Sequence, residues 1–314
     1  MVTLCDVMSW QYLVPLIIVA LICSPLIPNN KLRYYTCYIG FGTVMLLTAM
    51  FFLPLGIIRP RNLHNLTVGC KYLKHYTKIL GIEWSLRGED ILKEDRGAVL
   101  VTNHQSVMDV MGMATVWDKL DKLSAICKKE LLYYIPLGPL LWLGGLVFID
   151  RLDPKSAFDK IEASVHQMLH QKAKLWICPE GTRNKQRKVL LPFKKGAFRV
   201  AICTQAPIIP IVYSPYYFID LDNKTFSKGK VVLSALEPIS TEGLTLDDVD
   251  SLTEKVYKLM SDEYEKLQTE IINYLQNDIN TKLNLNRKDY IEVQPQIPAF
   301  WVSDLFVEKG DFSQ

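Results

Sequence analysis

An α/β fold is predicted for this chain: a single layered domain with a mostly parallel central sheet flanked by helices, preceded by an N-terminal hydrophobic helical hairpin. Three observations carry the prediction. Short apolar, β-rich runs alternate with helical patterns between residues 82 and 233, the order that builds parallel sheets. Two long stretches near the amino end hold no charged residue. The 314 residues leave room for one sizeable core plus an anchor.

The uncharged runs come first. Residues 11–28, broken by Pro15 and Pro25, are marginal in length for a bilayer. Residues 34–58 are twenty-five without a charge, enough to cross a hydrocarbon core of about 30 Å. The segment ahead of them carries Asp6 and no Lys or Arg, unlike a cleaved signal peptide. The connection Pro28-Asn29-Asn30-Lys31-Leu32-Arg33 is short, so the runs pair as a hairpin. Hydropathy leaves open whether the hairpin spans the bilayer twice or dips into one leaflet. Arg59, Arg61, Lys71, Lys74 and Lys78 outnumber Lys31 and Arg33 in the loop. The positive-inside bias therefore puts the following domain on the cytosolic side.

A helix is expected over 62–80, then strands over 82–86, 98–102, 123–127, 174–178, 208–213 and 230–233. Helical patterns occupy 153–171 and 196–204, and one or two charged amphipathic helices occupy 246–285. The division is a hairpin at 1–60, a layered domain at 61–285 and a tail at 286–314. The tail mixes Pro298, Phe300, Trp301 and Phe306 and has no functional reading. In such a sheet, site residues collect in the loops that leave the carboxyl ends of the strands.

The net charge of +3 is too small to argue for nucleic acid and suits work beside anionic lipid. Seven cysteines (Cys5, Cys23, Cys37, Cys70, Cys127, Cys178, Cys203) are odd in number and lack C-x-x-C spacing. That argues against a disulfide framework and a zinc site, and for small buried hydrophobes in reducing surroundings.

The stretch richest in chemistry is Asn103-His104-Gln105-Ser106-Val107-Met108-Asp109, directly after an apolar run. A histidine whose second ring nitrogen is held by a carboxylate is a general base near neutral pH. Residues five apart on a regular helix do not face each other. His104 is therefore expected in the turn leaving the strand, with Asp109 one turn into the next helix and reaching back. The alternative is an ordinary helix start capped by Asn103 or Ser106, with Asp109 favoured by the dipole.

Three further blocks follow in order: Gly145-Leu146-Val147-Phe148-Ile149-Asp150-Arg151, Pro179-Glu180-Gly181-Thr182-Arg183, and Pro207-Ile208-Ile209-Pro210-Ile211-Val212. With Lys128-Lys129-Glu130-Leu131, Leu191-Pro192-Phe193-Lys194-Lys195-Gly196-Ala197-Phe198 and Thr241-Glu242-Gly243-Leu244-Thr245, they resemble the glycerolipid acyltransferase family, and within it the lysophosphatidate acyltransferases of animals. The resemblance runs from the apolar amino end to about Thr253.

The resemblance implies acyl transfer from acyl-coenzyme A, a co-substrate, to the sn-2 hydroxyl of 1-acyl-sn-glycerol-3-phosphate (lysophosphatidate), giving phosphatidate. His104 would be the general base and Asp109 its orienting partner. A thiolate leaves readily, so no metal and no cofactor is expected. Arg183 and Arg151 are the implied partners of the acceptor phosphate, with Lys128 behind them, since phosphate favours guanidinium forks or a lysine charge. Gly181, in the same loop as Thr182, permits a tight turn or close approach, and Glu180 braces the site through arginine or backbone N–H contacts. Against this, Arg151 and Arg183 can be read as surface ion pairs with Asp150 and Glu180. An endoplasmic reticulum membrane location is likewise implied by resemblance. Two alternatives remain at this point: the same fold acting on another glycerolipid or lysophospholipid, and a non-catalytic membrane interaction protein.

Three other patterns are set aside. His166 and His170 have the spacing of a zinc-protease helix, but Gln167 stands where the catalytic glutamate belongs. The basic cluster from Arg183 to Lys188, continued by Lys194 and Lys195, lacks interleaved aromatics and reads as an anionic headgroup or coenzyme A contact rather than a nucleic-acid patch. The sequon Asn65-Leu66-Thr67 falls on the predicted cytosolic side and is expected to be unmodified.

Overall fold

Helix α1 (Lys31–Ile58) and helix α2 (Asn65–Leu80) open the described part of the chain and pack along each other. The computed structural model describes residues 31–117, 119–120, 122–150, 165–166 and 168–285, with side chains through 278. Among them α1 is the one helix long and apolar enough to cross a membrane. One face joins the domain core through Cys37, Ala49 and Phe52, and the Phe52 ring lies 5.8 Å from that of Tyr72 on α2. The Arg33 guanidinium donates to the carbonyls of Leu80 and Phe226 at 3.1 and 2.6 Å. The other face leaves Ile39, Met50, Phe51 and Ile58 exposed. The first uncharged run, at 11–28, lies outside the described residues.

The layered domain follows in order. It begins with β1 (Ile82–Arg87), α3 (Glu89–Lys93), β2 (Ala98–Thr102), α4 (Asp109–Trp117) and β3 (Leu123–Lys128). A 3-10 turn (Lys129–Tyr133) leads to α5 (Leu137–Leu143), β4 (Val147–Ile149), β5 (Lys174–Ile177), α6 (Gly196–Thr204) and β6 (Ile208–Tyr213). A small ribbon of β7 (Ile219–Asp220) and β8 (Thr225–Phe226), then β9 (Gly229–Ala235), a 3-10 turn (Leu246–Asp248) and α7 (Val249–Leu285) complete it.

Seven strands form one sheet in the order β1-β9-β6-β2-β5-β3-β4. Every neighbouring pair is parallel except β6 with β9, so the expected mostly parallel sheet flanked by helices is what forms. The centre is buried on both faces. Along β2, Ala98 and Leu100 enter one core while Val99 and Val101 enter the other, the two-residue alternation of a strand covered on both sides.

The six predicted strands coincide with β1, β2, β3, β5, β6 and β9 to within two residues at each end. β4 and the β7–β8 ribbon, two or three residues per strand, are too short to show a period. The expected helix at 196–204 is α6, and 246–285 forms one long helix after its 3-10 turn. Of the helix expected at 153–171, residues 165–166 and 168–170 are helical and the rest lies outside the described residues or beyond the helix end. Helix α4 approaches the sheet closely: a Cβ on Gly112 would stand 2.4 Å from Tyr213 and 2.6 Å from Trp84. That contact fixes where the amino end of α4, and with it Asp109, meets the end of β2.

Candidate active site

The turn between β2 and α4 is locked by two amides. Asn103 exchanges hydrogen bonds with the backbone of Tyr213, donating at 3.0 Å and accepting at 2.8 Å, so its side chain extends the pairing of β2 with β6. Gln105 donates to the carbonyl of Ser214 at 2.9 Å and accepts from the N–H of Tyr216 at 3.1 Å. Asp109 is the first residue of α4, not one turn inside it as the sequence suggested. Its carboxylate closes the turn from the helix end, accepting the Gln105 N–H at 2.8 Å and the Ser106 N–H at 3.2 Å. Ser106, the alternative helix cap, is buried, and its hydroxyl accepts the Met108 N–H at 3.3 Å.

His104 Nδ1 lies 2.6 Å from Asp109 Oδ2. An ionised carboxylate has no proton to give, so by hydrogen-bond logic Nδ1 carries the proton and Nε2 keeps its lone pair. The backbone of His104 is held on both sides. Its N–H donates to Glu180 Oε1 at 2.7 Å and its carbonyl accepts from the Asn184 N–H at 2.7 Å. The second oxygen of Glu180 accepts the Leu191 N–H at 3.1 Å. Glu180 is 2% exposed, and burial pushes its carboxyl up to about 7 against those two N–H donors.

A cavity of 480 Å³ opens at this dyad, lined by His104 and Asp109 together with Val110, Met113, Ala125, Trp176 and Ala197. It is mostly apolar, with Asp150 and Lys194 at its polar edge. Val110 and Met113 also line a 70 Å³ cavity beneath α1 and α5, continuing toward Phe52 and Leu140. The first volume lies within the range of ligand pockets, about 300–1,000 Å³. Gly181 takes φ 68°, which favours glycine, and a Cβ there would stand 2.8 Å from Lys194 Cε; the missing side chain is what lets the Lys194 stem lie over it.

The other residues singled out from sequence are placed as follows. Arg183 and Thr182 are exposed on the loop after β5. Arg183 adjoins the Asn184–His104 backbone bond, and its guanidinium meets no partner among the described residues. The alternative reading, an ion pair between Arg183 and Glu180, does not form, because Glu180 is buried and spent on backbone N–H groups. Lys128 closes β3, exposed, at the carboxyl edge of the sheet two strands from β2. Asp150 pairs with Lys129. Arg151 lies outside the described residues.

Four residues support the site in roles the sequence did not suggest: Asn103, Gln105, Asn184 and Arg187. Arg187 also corrects the reading of the 183–188 cluster as a headgroup contact. It is 1% exposed, with φ 56°, and Nη1 donates to the carbonyls of Tyr216 and Ile219 at 2.6 and 2.7 Å. Its own carbonyl accepts the Tyr264 hydroxyl at 2.7 Å. The guanidinium thus ties the loop that clamps His104 to the segment gripped by Gln105. Burial lowers its pKa. Lys195 of the same cluster is paired with Asp250.

The set-aside patterns also find their places. His166 and His170 touch at 3.3 Å on an exposed surface, and no group of three or more potential metal ligands gathers among the described residues. The Asn65 amide is buried and donates to the carbonyls of Arg59 and Leu143, a barrier to glycosylation in the folded state whichever side of a membrane it faces. Cys37, Cys70, Cys127, Cys178 and Cys203 are unbonded to one another.

Residues 84–214 match the family model described as Acyltransferase. The chain is 34% identical over 244 residues to mouse 1-acyl-sn-glycerol-3-phosphate acyltransferase alpha, covering 77% of this chain and 85% of that one. It belongs to the 1-acyl-sn-glycerol-3-phosphate acyltransferase family. Human acyltransferase beta is 37% identical over 201 residues, 64% of this chain and 71% of its own. The crystal structure of the 1-acyl-sn-glycerophosphate acyltransferase PlsC from Thermotoga maritima superposes with a TM-score of 0.60, covering 76% of this chain and 96% of that one at 22% identity. At that identity the likeness speaks for the fold alone, and it agrees with the sheet and helix layers described above.

Proposed function

We propose that this family member transfers an acyl group from acyl-coenzyme A to the sn-2 hydroxyl of lysophosphatidate, forming phosphatidate and free coenzyme A. The observation that carries the reading is the His104–Asp109 contact at the mouth of an apolar cavity. His104 Nε2 takes the hydroxyl proton as that oxygen attacks the thioester carbonyl. The tetrahedral centre collapses by breaking the C–S bond, and the proton passes from the imidazolium to the departing sulfur. Asp109 holds the ring in the required tautomer and offsets the transient charge. The apolar cavity suits an acyl chain, and Arg183, exposed and without a partner among the described residues, suits the acceptor phosphate. Arg151 and Lys128 are further candidates for that phosphate. Metal and cofactor have no step to perform in this route.

The exposed apolar face of α1 fits association with a membrane, from which an amphiphilic acceptor arrives. The surplus of basic residues after α1 supports a cytosol-facing domain, in an endoplasmic reticulum membrane as the resemblance implies. The test is acyl transfer by the purified chain in neutral detergent or liposomes, with a panel of acceptors and acyl-coenzyme A lengths. Phosphatidate formed from lysophosphatidate supports the reading; turnover confined to glycerol-3-phosphate or a large-headgroup lysophospholipid refutes it.

A further inference from the structure

A second concavity, of 1110 Å³, runs along the free edge of β1 between the last turns of α2 and the far part of α7. It shares no lining residue with the cavity at His104. Three segments bring lysines to it: Lys74 and Lys78 from α2, Lys228 from the turn before β9, and Lys230 from β9 itself. None of these four ammonium groups meets an acceptor among the described residues, whereas a fifth lysine at the rim, Lys119, is paired with Glu89. Glu83 and Asp278 supply the other carboxylates of the lining. Four unpaired cations collected from three segments repel one another, and a bound anion would relieve that repulsion.

The position of the groove says where the anion comes from. Arg33, at the amino end of α1, donates to the carbonyl of Leu80, and the Gly229 N–H donates to the next carbonyl, Gly81, at 3.0 Å. The groove therefore begins where α1 meets the domain. Tyr72, whose ring packs on Phe52 of α1, and Ile79 are both exposed. Ile79 itself lines the groove together with Lys74 and Lys78. Lysines bordering an apolar surface set their stems against it and their charges at headgroup level.

We propose that this groove is a non-catalytic site for the phosphate of an anionic phospholipid headgroup, supplied by the bilayer on which the α1 face rests. Its occupancy does not depend on acyl transfer. The experiment uses the full chain in neutral detergent micelles, titrated separately with phosphatidylinositol, phosphatidylcholine and inorganic phosphate. Bound molecules are counted by native mass spectrometry. Phosphatidylinositol is expected to bind, and phosphatidylcholine is not. A lysine near an anionic surface contributes roughly a fivefold gain, so Lys74→Gln with Lys78→Gln should weaken binding by more than about tenfold, as should Lys228→Gln with Lys230→Gln. Arginine at the same four positions should preserve it. Because the side chains are unpaired, the neutral variants should keep the melting temperature of the parent. Unchanged phosphatidylinositol binding in both neutral variants overturns the proposal. Saturation by inorganic phosphate as tight as by the lipid overturns the lipid as its source. Either failure leaves the acyltransferase reading untouched, since no step of the measurement requires turnover.

Discussion

Replacing Glu180 by Gln should produce stability curves that converge as pH rises. In the folded protein burial raises this carboxyl from 4.5 to about 7. Below pH 4.5 the group is protonated in both the folded and unfolded chains, and the folded state has its full stability. Between 4.5 and about 7 the unfolded chain releases the proton while the folded one retains it, so stability falls as pH rises through that window. At 1.36 kcal/mol per unit the loss is on the order of 3 kcal/mol. Glutamine removes this dependence but keeps one acceptor where two backbone N–H groups, of His104 and Leu191, need one each. Leaving one of them unpaired costs about 1–3 kcal/mol. Glu180→Gln should therefore be clearly less stable than the parent near pH 4.5 and close to it near pH 8. Thermal unfolding in neutral detergent across that range reads the difference. Parallel curves for parent and variant would show that Glu180 is not held neutral by burial, and the account of the brace would be wrong.

Other outcomes follow from the same geometry. Arg183→Ala should raise the KM for lysophosphatidate about ten- to a hundredfold and that for acyl-coenzyme A far less, with Lys restoring part of the loss; equal effects on both substrates would assign Arg183 to the fold or to the coenzyme. Ser106→Ala should remain active without any covalent acyl-enzyme, because that hydroxyl is buried and engaged with the Met108 N–H; a trapped acyl-serine in the parent protein would contradict direct transfer. Met113→Trp, at the wall shared by the 480 and 70 Å³ cavities, should shift preference toward shorter acyl chains in competition assays, and an unchanged chain profile would place the acyl group elsewhere.

The sheet was legible because β2, β5 and β6 are buried throughout, so their sequences are near-continuous apolar runs. The contact between His104 and Asp109 could be anticipated from their spacing, since a turn followed by a helix start returns position five to position zero. The supports could not. Asn103 and Gln105 act on Tyr213, Ser214 and Tyr216, more than a hundred residues away, and no local pattern encodes such a partner. Arg187 misled for a related reason. A basic residue among Lys185 and Lys188 looks solvated, and its burial rests on carbonyls of Tyr216 and Ile219 that become available only when the segment before β7 packs against it. Arg183 shows the converse. Its neighbour Glu180 suggested an ion pair, and the fold spends that carboxylate on the backbone, leaving the guanidinium without a partner among the described residues.

The central claim is that His104 is the base for acyl transfer to lysophosphatidate, and the steady-state rate of phosphatidate formation by purified His104→Ala tests it most directly. The account predicts a fall in kcat of about 10² to 10⁴, with the melting temperature near that of the parent, because the backbone N–H and carbonyl that anchor residue 104 are untouched by the substitution. A folded variant that forms phosphatidate at a near-parental rate would contradict it.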